Sequence, residues 1–151
     1  QPPANDTCDR AEPLACNSTV SGTTELATNA IEDVLEDCLP FGGNGPDVFY
    51  EVVVPVGEQL DAMVTPIDWD PALWIVLDCN DENSCVAAAD AGFFNDPEMV
   101  SWVNDTGADQ TVYVVVDGFA SFASGPFDLT ISCDAVVRNE NASWGEVKSR
   151  Y

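Results

Sequence analysis

Six cysteines and the absence of histidine constrain this chain more than any other feature of its sequence. The cysteines are Cys8, Cys16, Cys38, Cys79, Cys85 and Cys133 in a chain of 151 residues. A zinc site would need CxxC pairs or histidines, and the sequence has neither. An even number of cysteines in a short chain is instead typical of a disulfide framework. We therefore predict three disulfide bridges in a secreted or cell-surface protein.

The pairing of the cysteines is not fixed by the sequence, because six cysteines can pair in many ways. Proximity along the chain predicts that Cys79 and Cys85 close the polar loop at 80–84, and that Cys8 and Cys16 close a second small loop. Cys38 and Cys133 are then expected to pair by default.

Other features agree with export. No signal peptide is visible, and the chain begins with a polar, proline-containing segment, so we expect a leader to have been removed before Gln1. Four N-x-S/T sequons are candidate glycosylation sites, although chance alone can produce them in this composition: Asn5, Asn17, Asn104 and Asn141. No apolar run approaches the length of about 18 residues needed for a membrane span.

The net charge is strongly negative. Twenty-seven acidic residues against four basic ones give −23. Such a surface repels nucleic acid and anionic lipid, which excludes both as partners. It also repels itself and weakens the compact state, so we expect divalent cations to offset the charge. Adaptation to salt or to solubility is the alternative explanation.

Calcium is the cation that this sequence favours, because Ca²⁺ prefers carboxylate and carbonyl oxygens. The EF-hand loop pattern is absent. The candidate ligands are five aspartates, with Asn95 in support: Asp33, Asp47, Asp70, Asp90 and Asp96. For any one of them, a solvated surface carboxylate is the simpler interpretation.

Strand patterns dominate the chain. Short apolar or alternating runs occur at 19–24, 47–54, 59–65, 72–78, 98–103, 111–117 and 127–133, with Gly- and Pro-rich turns between them. We predict an all-β, jelly-roll-like β-sandwich of about 7–9 short antiparallel strands, stapled by disulfides. Residues 1–134 form this domain. A weaker helical pattern lies at 29–37.

Residues 135–151 form a linker and an amphipathic tail. Ser143 and Glu146 have the spacing of a capping box, which predicts a short helix. Its side chains and the nearby basic residues are candidates for partner binding: Trp144, Val147, Lys148, Arg150 and Tyr151. Residues 138–151 carry three bases and two acids, so the tail is slightly basic and the rest of the chain carries −24.

Several segments together resemble the bacterial pre-peptidase C-terminal (PPC) domain family. They are NDTCDRAEPL, STVSGTTELAT, GPDVFYEVVVP, DPALWIVLDCNDENSC, FNDP and FDLTIS, which span roughly residues 5–133. The resemblance implies an exported, non-catalytic sandwich, with calcium sites in some members. That family is usually an appendage of secreted hydrolases, whereas here the module fills nearly the whole sequence. The ending SWGEVKSRY resembles a (S/T)WGxxKxxY signature of some exported bacterial proteins, which suggests surface sorting or subunit docking.

Catalysis is not expected. Without histidine, Ser-His-Asp and Cys-His chemistry is excluded, and no GxSxG, P-loop or dinucleotide motif is present. Asp68 and Asp70 are the nearest approach to a glycosidase carboxylate pair, but an ion site or a solvated loop explains them more simply.

Two functions follow from these patterns. The first is a secreted, self-associating structural subunit of an extracellular filament or surface layer, in which the tail of one copy docks on the acidic body of the next. The alternative is a carbohydrate- or protein-binding accessory module. Its recognition residues would be aromatic side chains near Trp69 or in the loop that contains Phe119 and Phe122.

Overall fold

The chain folds as a β-sandwich. The computed structural model describes residues 3–28, 45–79, 81, 84–90, 92–118, 120 and 122–136. Within these residues the strands are β1 (Glu12–Leu14), β2 (Ser18–Thr23), β3 (Val48–Val54), β4 (Glu58–Pro66), β5 (Pro71–Val76), β6 (Cys85–Ala89), β7 (Glu98–Val103), β8 (Gln110–Gly118) and β9 (Pro126–Ala135). A single 3-10 turn, Cys8–Arg10, precedes β1. The predicted all-β sandwich is confirmed.

The strands form two sheets. A five-stranded sheet has the order β1-β3-β8-β5-β6, and a four-stranded sheet has the order β2-β9-β4-β7. All pairings are antiparallel except β1 with β3, which is parallel and was not predicted. β1 and β6 were not predicted either, because β1 is three residues long and contains Pro13, and β6 is rich in alanine, a weak strand former.

The main hydrophobic core lies between the two sheets. A second, smaller cluster of buried side chains lies on the outer face of the five-stranded sheet. On β3, Val48, Tyr50, Val52 and Val54 alternate into the inter-sheet core. Phe49 faces the other way, into a second cluster with Trp74 and Val115 that the N-terminal turn covers. Val53 lies on the same face as Phe49 but is exposed, so among the apolar residues of that face of β3 only Phe49 is buried.

The antiparallel registers divide the loops between two ends of the sandwich. The starts of β3, β5, β7 and β9 lie beside the ends of β2, β4, β6 and β8. We call this end the apical pole. The turns after β3 and β7, and the end of β9, lie at the opposite end, which we call the basal pole. Val136, just beyond β9, donates its N–H to Gly57 O there at 3.3 Å.

The disulfide pairing differs from the prediction. Cys8 pairs with Cys79, and Cys16 pairs with Cys133. The expected Cys8–Cys16, Cys79–Cys85 and Cys38–Cys133 bridges are therefore wrong.

The topology explains these pairings. The β2–β9 register pairs Ser18 with Ile131, and its continuation places Cys16 opposite Cys133. Cys8 lies in the N-terminal turn that packs on the outer face of the larger sheet, where Cys79 follows β5. Cys85 is also disulfide-bonded, and Cys38 lies outside the described residues.

No helix in the described part of the chain has the length and apolar character needed to cross a bilayer. The predicted helical segment at 29–37 and the tail at 138–151 lie outside the described residues.

Candidate cation site

Three carboxylates converge at the apical pole. Asp70, Asp90 and Glu98 each offer one oxygen, and these oxygens all lie within 4.8 Å of one another. Asp70 immediately precedes β5, Asp90 follows β6, and Glu98 is the first residue of β7. Because β6 and β7 are the edge strands of the two sheets, the site lies where those edges meet.

The carboxylates are largely removed from water. Glu98 is only 4% exposed and accepts a hydrogen bond from Gly92 N–H at 2.6 Å. Asp70 Oδ1 and both carboxylate oxygens of Asp90 are buried and have no hydrogen-bond partner among the described residues. Uncompensated buried carboxylate oxygens are costly, and a bound cation would relieve that cost.

The electrostatics of the cluster also favour a bound cation. Burial, followed by the charges of Asp70 and Glu98, raises the pKa of Asp90 to about 7. Burial also raises the pKa of Asp70, with further contributions from Glu98 and Asp96. The only basic residue in the described part of the chain is Arg10, which lies in the N-terminal turn.

The loop from β6 to β7 is fitted closely around the site. A Cβ atom at Gly92 would approach Asp96 Cβ to 2.7 Å and Glu98 Oε2 to 2.9 Å. Phe93 N–H donates to Asp96 Oδ2 at 3.0 Å, and Asn95 N–H donates to Trp69 O at 2.8 Å. Asn95 Oδ1 accepts from Asp68 N–H at 2.7 Å, so this loop and the β4–β5 loop are held together.

A second pair of acids lies at the same end of the larger sheet. The β3–β8 register places Asp47 opposite Asp117, and both residues are fully buried. Gly118 N–H donates to Asp117 Oδ1 at 2.7 Å, while Asp117 Oδ2 has no partner among the described residues. Burial, then the charge of Asp47 and, more weakly, that of Asp90, raise the pKa of Asp117 well above its usual range. The two acidic groups therefore lie at the same pole, and the charge of Asp90 acts on Asp117.

Of the predicted calcium ligands that the structure describes, only some lie at the three-carboxylate site. Asp70 and Asp90 meet in the three-carboxylate site. Asp96 acts on Asp70 through its charge and caps the loop, but it does not belong to the group of three. Asp47 lies in the second pair, and Asp33 is outside the described residues.

Sequence reasoning missed Glu98 and Asp117. Both residues place a carboxylate where the strand pattern calls for an apolar side chain. Glu98 occupies an inward-facing position of β7, two residues before buried Val100, and Asp117 follows the buried valines at the end of β8. A carboxylate at an inward-facing strand position is rarely buried without a partner or an ion.

Donor chemistry at the site fits a hard divalent cation. Three carboxylates from three elements match the oxygen preference of Ca²⁺ and Mg²⁺, and backbone carbonyls and water complete such sites in other proteins. The carboxylates considered for catalysis do not share this arrangement, since Asp68 is exposed whereas Asp70 is half-buried in the cluster.

The aromatic residues separate into core and surface sets. Trp69 is 3% exposed, packs against Phe127 and donates Nε1–H to Pro126 O at 2.7 Å, so Trp69 itself offers no surface for the recognition predicted near it. Trp74 is fully buried. The exposed aromatic residues of the described chain are Phe93, Phe94 and Phe122, all at the apical pole. Phe119 is outside the described residues.

The sequons also separate. Asn104 is fully buried, and its Nδ2 donates to both Val54 O and Ala108 O, so the folded chain cannot carry a glycan there. Asn5 is buried as well and donates to Phe49 O at 3.0 Å. Asn17 is exposed and stays a candidate acceptor, whereas Asn141 is outside the described residues.

Comparison with known proteins identifies the fold. No protein-family model and no curated protein sequence matches the chain. Among solved structures, a pre-peptidase C-terminal domain of a collagenase from Bacillus anthracis superimposes with a TM-score of 0.54 and 15% sequence identity. The match covers 81% of this chain and 94% of that domain. The PPC-like fold predicted from the sequence is therefore confirmed.

Proposed function

We propose that this chain is a secreted, non-catalytic structural protein that binds a divalent cation at Asp70, Asp90 and Glu98 and associates with copies of itself outside the cell. The observation that carries the cation-binding part of the proposal is the cluster of buried carboxylates at the junction of two sheet edges. A cation there would join β5, β6 and β7 and thereby hold the two sheets together. The disulfides are compatible with an extracellular location, because such bonds persist in oxidising environments.

Calcium is the cation we propose, and thermal unfolding tests it. A ligand that binds only the folded state at 100 times its Kd stabilises by about 2.7 kcal/mol. For a domain of this size, 1 kcal/mol corresponds to roughly 2–4 °C, so we expect Ca²⁺ to raise the Tm by several degrees over EDTA at low ionic strength.

A matched pair of variants locates the effect. Asp90→Asn removes a ligand and should abolish the Ca²⁺-dependent rise in Tm. Asp134→Asn removes the same charge from an exposed position at the basal pole and should leave the rise intact. An unchanged Tm of the wild-type protein in Ca²⁺ and in EDTA at low salt would rule out a stabilising cation.

Self-association is tested on the full-length protein by sedimentation velocity and electron microscopy. We expect oligomers or filaments that lengthen with protein concentration. A protein that stays monomeric at all concentrations, with Ca²⁺ present, would contradict the structural role.

An accessory module that binds carbohydrate is the second candidate. The exposed phenylalanines at the apical pole favour it, because such side chains stack on sugar rings. Binding of the wild-type protein to a glycan array, lost in Phe122→Ser, would support this function in place of self-association.

A further inference from the structure

The apical pole combines acidic and apolar surface. Phe93, Phe94 and Ile67 are 80%, 65% and 53% exposed, and they project from the two loops that Asn95 holds together. Leu26 and Phe122, also largely exposed, lie on neighbouring loops of this pole. We call Ile67, Phe93 and Phe94 the apical patch. It is flanked by the exposed acidic residues Asp68 and Asp96, which lie on the same two loops.

Exposed large apolar side chains grouped beside one another are typical of an interaction surface. The acidic surroundings select the partner, because a negative rim favours a segment with aromatic and basic side chains. The chain itself contains such a segment. Three of its four basic residues, together with Trp144 and Tyr151, lie in residues 138–151.

The two regions lie at opposite ends of the molecule. β9 runs from the apical to the basal pole and ends at Ala135, so the tail leaves the sandwich at the basal pole. The ten residues of β9 span roughly 34 Å at about 3.4 Å per residue.

The tail is too short to fold back onto the apical patch of its own copy. If 143–151 is helical, as the sequence predicts, it spans roughly 13 Å at about 1.5 Å per residue. The seven residues 136–142 add at most about 25 Å. The total of roughly 38 Å exceeds the roughly 34 Å of β9 by only about 4 Å, which is too little for the tail to turn around the basal pole and run back to the apical loops.

We propose that the tail of one copy, residues 138–151, docks on the apical patch of the next copy. The inference rests on the self-association in the proposed function and assigns its two surfaces. Trp144 and Tyr151 contact Phe93 and Phe94, while Lys148 and Arg150 pair with the flanking carboxylates. Since the two surfaces differ and lie at opposite poles, the contact is head-to-tail and need not close, which builds a linear polymer.

A complementation experiment tests this geometry with full-length variants. Phe93→Ser with Phe94→Ser removes the acceptor, and Trp144→Ser with Tyr151→Ser removes the donor. Each variant alone should remain monomeric in sedimentation velocity. An equimolar mixture retains one intact interface for each pair of molecules, so it should form heterodimers and nothing longer.

Val56→Ser is the matched control, since Val56 is 50% exposed at the basal pole. It should polymerise like the wild type. Circular dichroism and Tm of each variant show that the fold is retained.

The outcomes separate the inference from the proposed function. If the wild type polymerises and the Phe93/Phe94 variant does so equally well, the apical patch is not the acceptor, although self-association stands. If Val56→Ser blocks assembly and the Phe93/Phe94 variant does not, the tail docks at the basal pole instead. A mixture that stays monomeric would also overturn the head-to-tail assignment. A wild type that never assembles removes the proposed self-association itself.

Discussion

Asp90 shows how a single side chain can link stability, pH and cation binding. Its pKa in the folded protein is raised from the ordinary value of 3.8 to about 7 by burial and by the charges of Asp70 and Glu98. Between these two values the folded state therefore holds a proton that the unfolded state has lost. Stability then falls as the pH rises through this window, because the folded state binds more protons.

The prediction is that, in EDTA, the Tm of the wild type decreases between about pH 4 and pH 7 through the contribution of Asp90, and that Asp90→Asn flattens this decrease. Ca²⁺ must displace the same proton, so its affinity should increase with pH up to about pH 7. The measurements are thermal unfolding across pH and calcium titration calorimetry. Parallel pH profiles for the variant and the wild type would contradict this assignment.

Two disulfide bridges, in addition to the hydrogen bonds of the sheets, hold the N-terminal segments against distant parts of the chain. The Cys16–Cys133 bridge spans 117 residues and the Cys8–Cys79 bridge spans 71. Both restrict the unfolded chain over long loops, and removal of such a bridge typically costs about 2–5 kcal/mol.

We expect the double variants Cys16→Ser/Cys133→Ser and Cys8→Ser/Cys79→Ser each to lower the free energy of unfolding by an amount in that range. Because loop entropy grows only with the logarithm of length, the first should cost roughly 0.5 kcal/mol more than the second. Urea denaturation of both variants measures the difference. A loss far below 2 kcal/mol in either variant would show that its bridge does not restrict the unfolded state.

The strands themselves were largely predictable, whereas the contacts between distant segments were not. Alternation of Val48, Tyr50, Val52 and Val54 specifies β3 locally. The opposition of Cys16 to Cys133 depends on the β2–β9 register, which no local pattern encodes. The cation site was also only partly predictable. Asp70 and Asp90 were predicted as ligands, but their proximity to Glu98 depends on how the edges of the two sheets meet, which no local pattern encodes.

Charge acts at the scale of the whole molecule. With −23 on the chain and one basic residue among the described residues, long-range repulsion opposes the folded state. Raising the ionic strength from about 0.01 M to about 0.15 M shortens the screening length from about 30 Å to about 8 Å.

Without divalent cations, the urea midpoint should therefore rise with NaCl over this range. Choline chloride, which supplies a bulky cation, should reproduce the rise if screening is the cause. A rise seen with NaCl alone would indicate that sodium binds at specific sites. With saturating Ca²⁺, the dependence on NaCl should be smaller, because part of the repulsion is already relieved.

The position of the Cys16–Cys133 bridge has a mechanical consequence. Cys133 lies two residues before the end of β9, at the pole from which the tail departs. Tension applied through the tail reaches Cys133 after only two residues of β9 and passes through a covalent bond to Cys16, between β1 and β2. The hydrogen bonds of β9 on the apical side of Cys133 are then shielded from being peeled apart one after another. A subunit pulled by its tail would stretch as a single body, with its strands aligned along the direction of the pull.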